Sequence, residues 1–231
     1  MDTQTLLRNI TQIRDRVSVK SAKTPITSKP VTIVAASKTQ SAEVIRSAAS
    51  FGINDFGENY LQEALVKMDL LKDLNLTWHF IGPLQSNKTK LVAEKFNWIH
   101  SLDRLSVAQQ LSKKRPSELD PLNVCIQVNI SNEISKAGCL PEEISNLILD
   151  VRSLPRLRLR GLMIIPEAIE KRKQMSSPFK QNFVQMNGQN TTRMNHLFVV
   201  HAHTSLFYPG GQQPLQAVDE FREDVGLHCR V

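Results

Sequence analysis

The sequence predicts an α/β protein built on a parallel sheet with right-handed crossovers, for which closure into a TIM-like (βα)₈ barrel needs two units beyond the six that read clearly. Two observations carry this. Short β-branched or apolar runs alternate with segments of helical period up to about residue 166, giving six βα units in a row. The first of those runs then stops abruptly on Lys38, at the carboxyl end of a strand, where α/β proteins gather their ligands.

An apolar stripe of Leu6, Leu7, Ile10, Ile13 and Val17 predicts an amino-terminal helix before the first strand. The first strand is expected at Val31–Ser37; Val31 to Ala36 are β-branched or small, which suits a strand buried on both faces. A helix follows from near Ser41, with Glu43 in its first turn, Val44, Ile45 and Ala48 on one face, and Gly52 as the stop. Further strands are expected at Ile53–Phe56, Trp78–Ile81, Trp98–Leu102, Val124–Ile130 and Leu159–Ile165. Leu61, Ala64, Leu65 and Met68 recur at helical spacing, as do Ile144, Leu147, Ile148 and Val151 behind Pro141 at a first-turn position. Shorter helices are expected at Lys88–Lys95 and Arg104–Leu111.

From Glu167 the alternation degrades. The stretch from Met186 to Met194 is polar and without period, Leu197–Val200 makes one strand, and Leu215–Phe221 at best a short helix. The last two βα units are therefore expected to be missing or irregular. No Gly/Ser- or Pro-rich linker divides the first two-thirds, so residues 1–231 read as one domain: 1–166 regular, 167–231 atypical.

A chain of 231 residues with 41% hydrophobic content is long enough for one large core. It has no long apolar run, and its first residues lack the layout of a secretion signal, so no membrane association and a cytoplasmic location are expected. Three cysteines without C-x-x-C spacing indicate neither a disulfide framework nor a zinc site. His201-Ala-His203 with a distant Cys229 makes a poor metal site, and no metal is expected. The formal net charge of +7 raises nucleic acid as a partner. The basic groups, such as Arg156, Arg158 and Arg160, which share one face of a strand, are scattered and lack interleaved aromatics. Solvated charge is the reading adopted, in a field that also favours anionic small molecules.

Lys38 is the leading candidate. An amine held at a strand end is partly desolvated, which favours its neutral, nucleophilic form and condensation with a carbonyl. The alternative is a lysine that caps the strand and points to water. Asn59, in Phe56-Gly-Glu-Asn-Tyr60, offers donor and acceptor groups just before a helix, or caps that helix. His79 orients a ligand group or is a satisfied core histidine, and Met163 packs against a flat ring or fills core. No Ser-His-Asp order, Walker loop or G-x-G-x-x-G is present.

Five stretches together resemble the pyridoxal phosphate homeostasis protein family, which shares the fold of the alanine racemase N-terminal domain. They are Val34-Ala-Ala-Ser-Lys38-Thr, Phe56-Gly-Glu-Asn-Tyr60, Trp78-His-Phe-Ile-Gly-Pro-Leu-Gln-Ser-Asn-Lys88, Val128-Asn-Ile-Ser131 with Lys136-Ala-Gly138, and Arg160-Gly-Leu-Met163. The resemblance covers about residues 1 to 166. It implies that Lys38 carries pyridoxal 5′-phosphate (PLP) as an internal aldimine, and that Asn59 and His79 lie near the cofactor. It further implies a protein that balances vitamin B6 and amino-acid pools rather than an enzyme that turns over a substrate; a monomer with PLP-dependent apoenzymes as partners is expected. The chain departs from the family at its end: a Ser-x-Gly-Met-Ser loop and an Arg-x-Gly motif that hold the cofactor phosphate do not occur. Two alternatives stand beside this reading. One is a PLP-dependent amino-acid racemase, which needs a second acid/base such as Tyr60 or Tyr208. The other is a remnant with impaired cofactor binding.

Overall fold

The structure is a computed structural model, and it describes residues 2–22, 31–129, 137–164 and 199–200. The leading helix α1 (Thr3–Ala22) opens on Asp2, whose carboxylate accepts from the N–H of Thr5 at 2.9 Å. Leu6 and Ile10 of the expected stripe are buried, Ile13 and Val17 half-buried, and Leu7 is exposed.

Strand β1 (Val34–Ala36) leads into α2 (Ala42–Ser50), with Ser41 at the N-cap position and Gly52 at φ +82 beyond the last turn. Then follow β2 (Asp55–Glu58), α3 (Leu61–Leu70), β3 (Thr77–Phe80), α4 (Thr89–Lys95), β4 (Trp98–Leu102), α5 (Leu105–Lys114), β5 (Leu122–Val128), α6 (Ile144–Ser153) and β6 (Leu157–Ile164). Short 3₁₀ turns at Ser86–Lys88 and Pro141–Glu143 precede α4 and α6. A two-residue strand, β7 (Val199–Val200), pairs with Met163 and Ile164.

All pairings are parallel, and the order β1-β2-β3-β4-β5-β6-β7 is consecutive. A doubly wound sheet reverses its strand order part-way; a barrel sheet does not. With right-handed crossovers, a consecutive order also puts every helix on the same face. The core bears this out: Ala35, Phe56, Phe80, Ile99, Val124, Ile126 and Leu162 join Ile45, Ala64, Val92, Val107, Leu111 and Val151 of the helices in one cluster. The expected barrel-type α/β fold is the one observed over residues up to 164.

Three expectations need correction. Strand β1 is shorter than expected and not buried on both faces: Ala35 is buried, but Val34 and Ala36 are half-buried, because among the described residues β1 pairs only with β2. Arg156 does not share a strand face with Arg158 and Arg160, since it precedes β6 in a left-handed conformation at φ +62. Arg160 is no solvated charge either, as described below. The expected helix at Leu215–Phe221, the pair His201 and His203, and Lys136 lie outside the described residues. Among those residues no helix is long and apolar enough to cross a membrane, and no cluster of metal-ligating side chains occurs.

Candidate functional site

In each strand alternate residues face the helices, and the others face the opposite, inner side. The inner side is unlike the apolar helix layer. Asp55, His79, Trp98, His100, Asn123, Cys125, Gln127, Arg160 and Met163 all belong to it.

Its lower part, toward the strands' amino ends, is a closed network. His79 is buried, with Nε2 at 2.9 Å from Asp55 Oδ1 and Nδ1 at 2.8 Å from His100 Nε2. Nε2 donates to the carboxylate, which leaves Nδ1 to accept from His100. Burial pushes the imidazole below its ordinary value, against the pull of Asp55, so the ring is held neutral. Its face stacks on Trp98 at 5.5 Å, and the Arg160 guanidinium lies over the same indole, also at 5.5 Å, while donating from Nε to Asn123 Oδ1 at 2.7 Å. Of the alternatives for His79, the structure places it among partners that take up both ring nitrogens. Cys125, on the same face, is a thiol pushed up to about 12 by burial.

The upper rim, at the strands' carboxyl ends, is built differently. Ser37 continues the ladder from β1, donating its N–H to the Gly57 carbonyl at 2.9 Å, and turns its hydroxyl toward the helix layer to reach Glu58 Oε1 at 2.6 Å. Lys38, half-buried, follows in a turn closed by the Gln40 N–H, which donates to the Ser37 carbonyl at 3.0 Å. Asn59 directly follows β2. Its Oδ1 is buried and has no hydrogen-bond partner. The Gly82-Pro83 turn after β3 rests on this residue: a Cβ at Gly82 would come within 2.2 Å of the Asn59 carbonyl oxygen, so only glycine fits. Met163 is fully buried near the end of β6, in register with Gln127, whose Nε2 donates to the Ala137 carbonyl at 3.0 Å. Gly138, at φ +127, lets residue 139 return against β5.

Behind the rim, on the helix side, lies a buried charge cluster that the sequence reading missed. Lys67 of α3 donates to the Ser37 carbonyl and Glu58 Oε1, each at 2.7 Å, and to Glu63 Oε1 at 2.5 Å. Glu63 Oε1 also accepts the N–H of Thr39 at 2.6 Å. Burial raises the Glu58 carboxyl above its ordinary value, while Lys67 and Ser37 pull it down. A sequence signal existed: Lys67 lies three residues after Ala64 on the apolar stripe of α3, where a charge needs a buried partner.

The sequence matches the family described as alanine racemase, N-terminal domain, over residues 1–222. The pyridoxal phosphate homeostasis protein of Pseudomonas aeruginosa is 50% identical over 175 residues, 76% of each chain. This chain belongs to the pyridoxal phosphate homeostasis protein family. The family's member in Escherichia coli is 48% identical over 164 residues, 70% of each chain. Two solved structures of PipY from Synechococcus elongatus, a protein described without and with PLP bound, superpose with TM-scores of 0.70 and 0.68. They are 27% and 28% identical to this chain, and the superpositions cover 84% of it and 87% of PipY. Alanine racemase from E. faecalis shares the fold alone, with a TM-score of 0.63 at 15% identity over 91% of this chain and 55% of the racemase.

Proposed function

We propose that this member of the family binds PLP, holds it as a Schiff base on Lys38, and serves to store or deliver the cofactor rather than to turn over a substrate. The observation that carries the reading is the rim. A lysine follows the carboxyl end of β1, and Asn59, which follows the paired strand β2, holds a buried Oδ1 acceptor with no donor, which a bound group carrying a donor would satisfy. The residues present therefore fit the cofactor. Bound PLP supplies an aldehyde that condenses with an amine.

The chain's own residues do the rest. Lys38 supplies the amine, and Asn59, whose backbone packs against Gly82, an acceptor. Met163 offers a polarizable, buried wall on the same inner face. His79 acts from below, held in one tautomer by Asp55, so that it forms a neutral floor rather than a proton donor. Among the described residues Tyr60, a candidate second acid/base, is 60% exposed, and Tyr208 lies outside them. Racemisation needs such a second group, and the names of the relatives support a homeostatic role. Delivery to PLP-dependent apoenzymes, a monomeric state and a cytoplasmic location are parts of this proposal.

The test is a PLP titration of the purified chain followed by visible absorbance. An imine band is expected in the wild type and absent in Lys38→Ala. A band that survives the substitution would overturn the assignment.

A further inference from the structure

The segment that carries Lys38 is gripped from behind, and the geometry points to Lys67 and Glu63 as positioning residues for its amine. This deepens the proposal that Lys38 holds PLP and rests on it. The Ser37 carbonyl belongs to the peptide group entering Lys38; the Thr39 N–H belongs to the peptide group leaving it. Lys67 Nζ holds the first at 2.7 Å, Glu63 Oε1 the second at 2.6 Å, and the two side chains are joined to each other at 2.5 Å. One ion pair thus fixes the peptide planes on both sides of a single Cα.

Two further observations show that the grip matters locally. Thr39 sits at φ +64, a left-handed conformation that a β-branched residue rarely enters and that needs a restraint to persist. Lys67 is itself anchored, since its third donor goes to the fully buried Glu58, which also takes the Ser37 hydroxyl. A lysine side chain has four rotatable carbons, so the direction of its Cα–Cβ bond decides which region its nitrogen samples. The clamp stands on the helix side of the sheet, opposite the inner face. It acts through the backbone of residues 37–39.

The experiment uses the full chain and its Glu63→Ala, Glu63→Gln and Lys67→Met variants, read in three ways. Thermal melting reports folding, backbone amide exchange across residues 37–42 without PLP reports the clamp, and PLP titration reports imine formation and its rate. In Glu63→Ala the melting point is expected to stay near the wild-type value while exchange at Thr39 accelerates. Apparent PLP affinity and the rate of imine formation are each expected to fall roughly tenfold, the worth of a charge-assisted hydrogen bond. Glu63→Gln keeps an oxygen for the Thr39 N–H and is expected to recover most of the loss. If Lys67→Met does not fold, the Glu63 pair decides alone. The clamp is overturned if Thr39 exchange does not change, if it accelerates while imine formation stays at the wild-type rate, or if the alanine and glutamine variants behave alike. Absence of the band in the wild type, or its survival in Lys38→Ala, removes the PLP reading and the clamp with it. A failure confined to the Glu63 series leaves the PLP reading standing.

Discussion

The floor and the rim of one sheet face use polar residues in opposite ways. On the floor, Asp55, His79, His100, Trp98, Arg160 and Asn123 satisfy one another, and the charges that remain are paired or stacked. At the rim, Asn59 presents a buried oxygen with nothing donated to it, and Lys38 stands half-buried after the neighbouring strand β1. Buried polar groups are nearly always paired within a fold, and among the described residues Asn59 Oδ1 and, on the helix side, Glu58 Oε2 are exceptions. The contrast supports the proposed ligand site at the rim, although both regions lie on the same strands.

That contrast can be broken by substitution. The largest stability effect is expected at the floor. His79→Ala strips partners from Asp55 and His100 and a stacking surface from Trp98, and should cost about 2–4 kcal/mol, a fall of roughly 5–10 °C in Tm by calorimetry. Its PLP band should persist; a stable His79→Ala protein without the band would move His79 into the ligand site. At the rim the pattern reverses. Asn59→Ala removes an acceptor that has no donor, so Tm should change by less than about 1 kcal/mol of stability, whereas PLP affinity should fall about tenfold. Equilibrium titration beside a melting curve separates the two outcomes.

A pH series sharpens the same comparison more gently. The His79 ring is depressed below its ordinary 6.5 by burial, so the unfolded chain takes up a proton that the folded chain resists. The stability it contributes is present above pH 6.5 and is lost as the pH falls below that value. Between about pH 7.5 and about pH 5.5 the melting point should therefore drop more steeply in the wild type than in His79→Ala. Equal slopes would mean that the ring is not held neutral. The smallest expected effect is none at all. Burial pushes Cys125 and Cys139 up to about 12, so a thiol reagent at about pH 8 should leave both unmodified in the native protein, as read by mass spectrometry.

What was legible in the sequence follows from how local each feature is. Strand β4 lies at the expected Trp98–Leu102, and α3 covers the expected stripe, because periodicity is written in neighbouring residues. Lys38 was legible because a β-branched run ending in lysine marks a strand's carboxyl end. The partners of His79 were not: Asp55 and His100 lie 24 and 21 residues away and meet it only through strand register. Arg160 read as solvated charge for the same reason, since Trp98 reaches it across the sheet. The left-handed turn at Thr39 was hidden because threonine carries none of glycine's signal for positive φ. Asn59 was visible as a candidate, but its missing donor emerges only in three dimensions.

The unbroken order of the strands bears on how the protein is made. Each strand after the first docks on the one synthesised just before it, so the sheet can extend by one edge as the chain emerges from the ribosome. The amine-bearing strand is laid down early and waits at the far side of the growing edge. Shortening the chain from its tail therefore peels away the last-added edge first, whereas trimming its head removes the strand from which that assembly starts.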